Sequence, residues 1–255
     1  MRSLFPYVGG KHRKAKILIQ LLAPHTCYVE LFAGAANVLF AKEPSDAEIL
    51  NDVNGALINI FRVIRWHPDE LIKELAFITH SRQEFMDYHD QSGLTDVQRA
   101  ARYWFKLKAT FGGTGPTGAK SFATGTCRKA MVRSVALKTI RRAHERLDGV
   151  FIENDDFERV IKRYDRNYTQ FFCDPPYWQT AGYGVPFGWS DHQRLANALR
   201  KIEGKFLLTI NDHPDIKKLY RGLPRRKIPV CYTVSRRGTK KTHELIIANY
   251  PLHKR

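Results

Sequence analysis

Cysteine is scarce in this 255-residue chain: the four present, Cys27, Cys127, Cys173 and Cys231, lie far apart and form no CxxC pair. That argues against a disulfide framework and a cysteine-built zinc site, and it suits a reducing cytoplasm. Long apolar runs are missing too, with nothing near the ~18 residues of a membrane span. The first residues break at Pro6 and meet Gly9-Gly10-Lys11, so they lack the apolar stretch of a secretory signal. The ten histidines form no HExxH and no paired spacing beside acids, and no metal is expected. Repeats and low-complexity tracts are absent. Acids are the scarce charge, 25 against 42 Lys plus Arg, for a net +17. What is present is a core-forming composition, 43% hydrophobic and 12% aromatic. The length fits one large domain or one domain with an insertion, and the charge points to a polyanionic partner.

The basic excess has an address. Residues 99–150 hold twelve Lys or Arg against Glu145 and Asp148, and residues 217–255 hold twelve against Glu244 alone. Two basic blocks on a mildly acidic body suggest a nucleic-acid surface attached to a separate chemistry.

Residues 27–32 and 48–50 read as short strands, each followed by a helical stretch, 35–41 and 56–64. This is the rhythm of a parallel sheet with covering helices. The rhythm stops over 67–110, which reads as helices, among them 68–78 and 96–109. A loop with five glycines follows at 111–126, then a basic helix at 133–147. Strands return at 150–152, 170–173, 206–210, 230–234 and 245–248, the last two as an antiparallel hairpin. The expected fold is α/β, with about seven strands and a helical, basic insertion at roughly 67–145.

Asp174-Pro175-Pro176-Tyr177 ends the apolar strand Phe171-Phe172-Cys173. Open α/β sheets bind ligands at the carboxyl ends of their strands. Two prolines make the turn rigid and extended. The Asp174 carboxylate and Pro175 carbonyl then form two fixed acceptors beside the Tyr177 ring, a set suited to an exocyclic amino group on a planar base. The competing reading is a strand-ending turn with a capping Asp. Glu30-Leu31-Phe32-Ala33-Gly34 is a strand and tight turn where Gly34 lets a ligand approach the backbone, although it lacks the glycines of a dinucleotide fingerprint. Asp52 ends the next strand, where an acid binds ribose hydroxyls or, more plainly, caps a helix. Gly113-Thr114-Gly115-Pro116-Thr117-Gly118-Ala119-Lys120-Ser121 resembles a phosphate loop but has Ala119 before Lys120 and no strand before it. It reads better as a groove-contacting loop with Lys120, Phe122 and Arg128.

In this order the blocks resemble the Dam-like, D12 class DNA adenine-N6 methyltransferases, in a small form often carried by phages. Tyr7-Val8-Gly9-Gly10-Lys11, Glu30-Leu31-Phe32-Ala33-Gly34-Ala35, Asn51-Asp52-Val53-Asn54, Asn154-Asp155-Asp156-Phe157 and Asp174-Pro175-Pro176-Tyr177 carry the likeness. Asp191-His192-Gln193-Arg194-Leu195 and 244–250 extend it to nearly the whole chain. Pro6 stands where GATC-specific members have Lys, and their recognition loop is not evident at 111–127, which counts against GATC as the recognition sequence.

The resemblance implies a Rossmann-like seven-stranded methyltransferase sheet, mostly parallel with a C-terminal antiparallel hairpin. Residues 1–66 and 146–255 would bind S-adenosylmethionine, and 67–145 would be a target-recognition insertion. Tyr7, Lys11, Phe32 and Gly34 would line the methionine part and Asp52 the ribose, with Glu30 also binding the cofactor. Asp155 or Asp156 would accept from the adenine amino group with Phe157 against that ring, and Asp174 would lie at the reacting end. Asp174, Pro175, Pro176 and Tyr177 would be catalytic. The target base would flip from the duplex onto Tyr177, with no metal needed. Lys106, Lys108, Lys120, Phe122, Arg128, Lys129, Arg133, Arg236, Arg237, Lys240 and Lys241 are the expected contacts to double-stranded DNA. Methylation of RNA adenine or cytosine N4, or a catalytically silent DNA-binding protein on this fold, remain alternatives. Ser before Pro-Pro-Tyr is the more frequent cytosine-N4 pattern, and Asp174 favours adenine. A monomer or weak dimer in the cytoplasm of a bacterium or phage-infected host is expected, with or without a restriction partner.

Overall fold

The computed structural model describes residues 3–7, 9–110, 121–123, 133–180, 184–232 and 240–252. Lys120, Arg128, Lys129, Arg236 and Arg237 lie outside the described residues, as do the side chains of Arg133, Lys240 and Lys241. In chain order the elements are α1 (Ala15–Ile19), β1 (Cys27–Glu30), β2 (Ala47–Asn51), α2 (Gly55–Trp66), α3 (Pro68–Phe77), α4 (Arg82–Asp90), α5 (Asp96–Ala109) and α6 (Arg133–Leu147). Then come β3 (Val150–Glu153), α7 (Phe157–Tyr164), β4 (Thr169–Cys173), α8 (Trp189–Leu199), β5 (Lys205–Asn211), α9 (Pro214–Leu219), β6 (Arg225–Tyr232) and β7 (Lys240–Ala248).

The strands form one seven-stranded sheet in the order β3-β2-β1-β4-β5-β7-β6. The first five are parallel, and β7 lies antiparallel between β5 and β6. β1 and β4 are buried along their whole length, as expected of strands covered on both faces. Side chains of β1, β4 and β5 alternate between two cores. Tyr28, Phe172 and Leu207 join one cluster, and Val29, Phe171 and Phe206 the other.

The first core is closed by α2, α3, α5 and α6. α2 starts at Asn54, whose side chain accepts from the N–H groups of Ala56 and Leu57. It buries Leu57, Ile60, Phe61 and Ile64, a stripe at helical spacing. α5 starts with a capping box between Thr95 and Gln98 and buries Ala100, Trp104 and Leu107. α6 contributes Ala136, Ile140, Ala143 and Leu147. Helices from residues 67–145 thus share a core with α2. The second core is closed by α7, α8 and α9 through residues such as Val160, Leu195 and Ile216.

Three expectations need correction. Residues 35–41 form turns, not a helix. Gly34 and Ala36 both have positive φ (48° and 50°), and the Leu39 N–H is taken by the Glu30 carboxylate at 3.0 Å, so no continuous helical ladder forms. β6 and β7 each begin five residues earlier than their apolar runs, because Arg225-Arg226-Lys227 and Lys240-Lys241 are polar yet pair along the hairpin. β6 is an edge strand, which is where Pro229 can sit without breaking a ladder. Among the described residues, no helix is long and apolar enough to cross a membrane.

One ion cluster ties α6 to the sheet. Glu48 on β2, buried, accepts from Lys42 at 2.5 Å and from both terminal nitrogens of Arg146 at 2.5 and 2.9 Å. Removing one partner of such a cluster strands the others. Glu48→Ala is expected to cost about 3 kcal/mol or more of unfolding free energy in urea. Arg141→Ala, which breaks an exposed pair with Asp69, should change little. Equal small effects would show that the cluster does not hold the fold.

Candidate active site

Connections leave β1 and β4 toward opposite sides, because β2 lies on one flank and β5 on the other. A crevice opens at this switch point, beyond the carboxyl ends of the strands. It holds about 1010 Å³ of empty space, part of it open to solvent. Tyr7, Lys11, Glu30, Phe32, Gly34, Asp52, Asp155, Asp156, Phe157 and Asp174 all line it. These residues come from the N-terminal segment and from the ends of four adjacent parallel strands.

Each wall has a local cause. Gly34 has φ 48°, and a Cβ there would stand 3.2 Å from the Tyr7 ring, so glycine lets Tyr7 close over the turn. Asp52 accepts from Gly34 N at 3.1 Å and Asn54 N at 2.9 Å. Burial raises its pKa, and these two N–H groups oppose the rise. The cap of α2 is Asn54, which leaves Asp52 on the cleft. Asn51, buried at the end of β2, donates to the carbonyls of Leu31 and Asp155 at 3.0 and 3.1 Å and accepts from Asp155 N at 3.0 Å. It thereby pins the loops after β1 and β3 on either side of it.

Asp155 and Asp156 have separate surroundings. Asp155 accepts from Asp156 N at 2.8 Å and pairs with Arg163 and Arg159. Its pKa is lowered, first by that backbone N–H and then by Arg163. Asp156 caps α7 and accepts from Arg194 at 3.0 Å on both oxygens. Arg194 also lies over the Phe157 ring, 4.9 Å from its centroid. Phe32, Phe157 and Phe187 form an aromatic wall with centroids 5.7–6.0 Å apart.

Asp174 sits where the cleft meets β4 and β5. Lys11 donates to it at 2.7 Å and Thr209 Oγ1 donates to Oδ1 at 2.7 Å. Burial raises its pKa, opposed by Lys11 and Thr209. Pro176 lines the cleft, whereas Pro175 and Tyr177 are not part of its lining. Tyr177 is 6% exposed, with the Lys11 ammonium over its ring at 5.0 Å. A carboxylate has about four lone-pair sites, so Asp174 keeps acceptor capacity beyond these two partners.

The cleft suits a nucleoside-bearing, amino-acid-like ligand. Its buried Asn37 Oδ1 has no hydrogen-bond partner among the described residues, an acceptor left for a ligand donor. Acids stand at Glu30, Asp52 and Asp155, and three phenylalanines offer faces for a planar ring.

The expected DNA contacts fall differently. Lys106 and Lys108 are half-buried, lie over the Tyr103 and Trp104 rings at 5.8 and 5.2 Å, and have pKa values lowered by burial. Phe122 packs with Phe85 and His80 at 5.3 and 5.2 Å, under Arg82. The other eight expected contacts lie outside the described side chains. Several counted charges have structural partners: Arg146 with Glu48, Arg99 with Asp96, and Lys217 and Lys227 with Asp212. Asn37, Phe187 and Arg194 line the cleft although residue-by-residue reading had not singled them out. Arg194 sat within the helix block Asp191-His192-Gln193-Arg194-Leu195, whose acid-base pattern was the available signal.

A sheet of this order with a ligand cleft at its switch point is a Rossmann-like methyltransferase fold. Residues 7–234 match the family model of the D12 class N6 adenine-specific DNA methyltransferases, and the chain belongs to that family. It is similar to the Type II methyltransferase M1.LlaDCHI of Lactococcus lactis subsp. cremoris, 27% identical across 98% of this chain and 96% of that protein. It is also similar to the DNA N-6-adenine-methyltransferase of Escherichia phage P1, 26% identical across 86% of this chain and 31% of the phage protein. The DNA adenine methylase of Vibrio cholerae is 23% identical across 96% of this chain and 95% of its own length. The chain is therefore an adenine-specific DNA methyltransferase.

Glu30 offers a measurable signature. It is 2% exposed, and burial raises its pKa to about 8, despite hydrogen bonds from Tyr28 and Leu39 N. A carboxyl whose folded pKa exceeds its unfolded value of about 4.3 stabilises the fold fully only below that lower value. Stability is then lost as pH rises toward 8, by up to about 1.4 kcal/mol per unit. Unfolding free energy measured from pH 5 to pH 8 should fall in the native chain and fall less in Glu30→Gln. Parallel curves would assign the slope elsewhere.

Proposed function

We propose that the chain transfers the methyl group of S-adenosylmethionine to N6 of an adenine turned out of double-stranded DNA into the space beside Asp174. The observation that carries this reading is the convergence of the N-terminal segment and four strand ends on one cleft, with Asp174 at its edge. When bound, S-adenosylmethionine supplies a methyl group made electrophilic by its sulfonium.

The chain's residues do the rest by placement. Glu30, Asn37 and Lys11 hold the polar amino-acid end. Asp52 takes the ribose hydroxyls, and Phe32, Phe157 and Phe187 enclose the adenine, with Asp155 or Asp156 receiving its amino group. Adenine N6 is a weak nucleophile because its lone pair is conjugated into the ring. Asp174 and the Pro175 carbonyl accept both N6 hydrogens, favour a tetrahedral nitrogen and stabilise the positive charge that develops on it, and the surplus N6 proton then leaves through Asp174 to solvent. Base entry displaces the Lys11 ammonium from the face of Tyr177, and the ring then stacks on the base. The basic side chains of 67–145 and of the C-terminal stretch hold backbone phosphates, and 67–145 reads the target. Residues 1–66 and 146–255 hold the donor.

Asp174→Ala should lower incorporation of labelled methyl into adenine by about 100-fold or more, with donor binding retained. A variant with full incorporation would remove Asp174 from the reaction. DNA affinity should fall linearly with log salt, at a slope of about −0.9 per phosphate neutralised. A flat response in a filter-binding titration would sink the phosphate grip.

A further inference from the structure

The Asp174–Tyr177 segment is poor in backbone donors, and its Tyr177 carbonyl accepts from Thr180 N at 3.2 Å just beyond it. Pro175 and Pro176 carry no N–H, and the ladder between β4 and β5 ends at Cys173 opposite Leu208. Beyond that point side chains take over. Thr209 and Asn211 stand two residues apart on β5, so they share a face. Thr209, fully buried, donates to Asp174 Oδ1 at 2.7 Å. Asn211 accepts from Trp178 N at 3.0 Å and donates to Trp178 O at 2.9 Å. The two residues therefore hold the segment at its first side chain and at the backbone just past its last. Opposite Asn211 on β7 stands Glu244, 3% exposed, which pairs with Lys14 at 2.6 Å and neighbours Tyr177, one of the groups that favour its charged form.

We propose that Thr209, Asn211 and Glu244 are positioning residues for methyl transfer, a second tier on β5 and β7 that fixes the acceptor Asp174 and the ring of Tyr177. This rests on the function proposed above. The prolines make the segment stiff but leave it free to tilt as a unit, and anchors at both ends and on the ring remove that freedom. A misplacement of about 1 Å at such a site can cost 100-fold in rate.

The test separates positioning from mere stability. Thr209→Val keeps the shape and loses the hydroxyl, whereas Thr209→Ser keeps the hydroxyl. With duplex DNA and S-adenosylmethionine, Thr209→Val should lower kcat about 10-fold or more, the effect of one hydrogen bond to a charged acceptor. KM for each substrate should move less than about 3-fold, as for an interaction made mainly in the transition state. Thr209→Ser should restore kcat. Asp174 also faces Lys11, Lys14, Glu30, Glu244 and the Cys173 thiol. Thr209 is among the groups that favour its charged form, so the acid limb of the kcat profile should move to higher pH in Thr209→Val and return in Thr209→Ser. If Thr209→Val does not fold, Asn211→Asp, which turns an acceptor toward the Trp178 carbonyl, carries the same split.

Equal losses in Thr209→Val and Thr209→Ser, or an unchanged kcat and acid limb in Thr209→Val on an active parent, would overturn the positioning role alone. An unaltered chain that forms no N6-methyladenine overturns the function and this role together.

Discussion

The reversal of strand order between β1 and β4 is the constraint on which the site depends. The chain steps from β1 to β2 on one side and from β4 to β5 on the other, which leaves a gap between the strand ends that the cleft occupies. Four strand ends reach that gap, joined by Tyr7 and Lys11 from the N-terminal segment and by Phe187 and Arg194 from beyond β4. The geometry of the loops follows from buried polar groups at those ends rather than from the loops themselves. Asn51 ties the turns after β1 and β3 together, and Asn211 holds the segment after β4. An amide is suited to this task because it donates and accepts at once, as a neighbouring strand would.

Burial and charge meet in the same place. Asp174, Glu30 and Glu244 are acids brought close at the floor of a largely apolar sheet, with Lys11 and Lys14 among them. The outcome differs with the partner. Lys11 and Lys14 outweigh burial and hold Glu244 below its ordinary pKa. Glu30 has only neutral donors in contact and rises. Two buried glutamates near Asp174 thus shift in opposite directions, the one beside lysines downward and the one beside neutral donors upward.

Much of the fold was legible in the sequence where one physical signal dominated. The helices at 96–109 and 133–147 match α5 and α6 because helical apolar spacing continues to both ends. The central strands were plain because burial on both faces makes them continuous apolar runs. The turn at 35–41 misled because small residues permit a helix that Gly34, Ala36 and the Glu30 carboxylate divert. The hairpin was visible but cut short, since edge pairing tolerates lysine and arginine. In the cleft, motif residues are contiguous in sequence and could be found, whereas Phe187, Arg194, Thr209 and Glu244 arrive by tertiary packing. Charge counting was least discriminating: Arg146 counted toward a binding surface and is spent inside the fold on Glu48.

The four tryptophans are distributed in a way that has an optical consequence. Trp104 is sealed in the first core and Trp66 stands mostly in solvent. Trp178 and Trp189 lie together at 5.0 Å, edged by the buried His192, and Trp178 directly follows the segment that carries Asp174. A movement of that segment alters the indole pair nearest to it while leaving the other two as a constant background. The molecule thus carries its own emission probe directly beside the Asp174–Tyr177 segment.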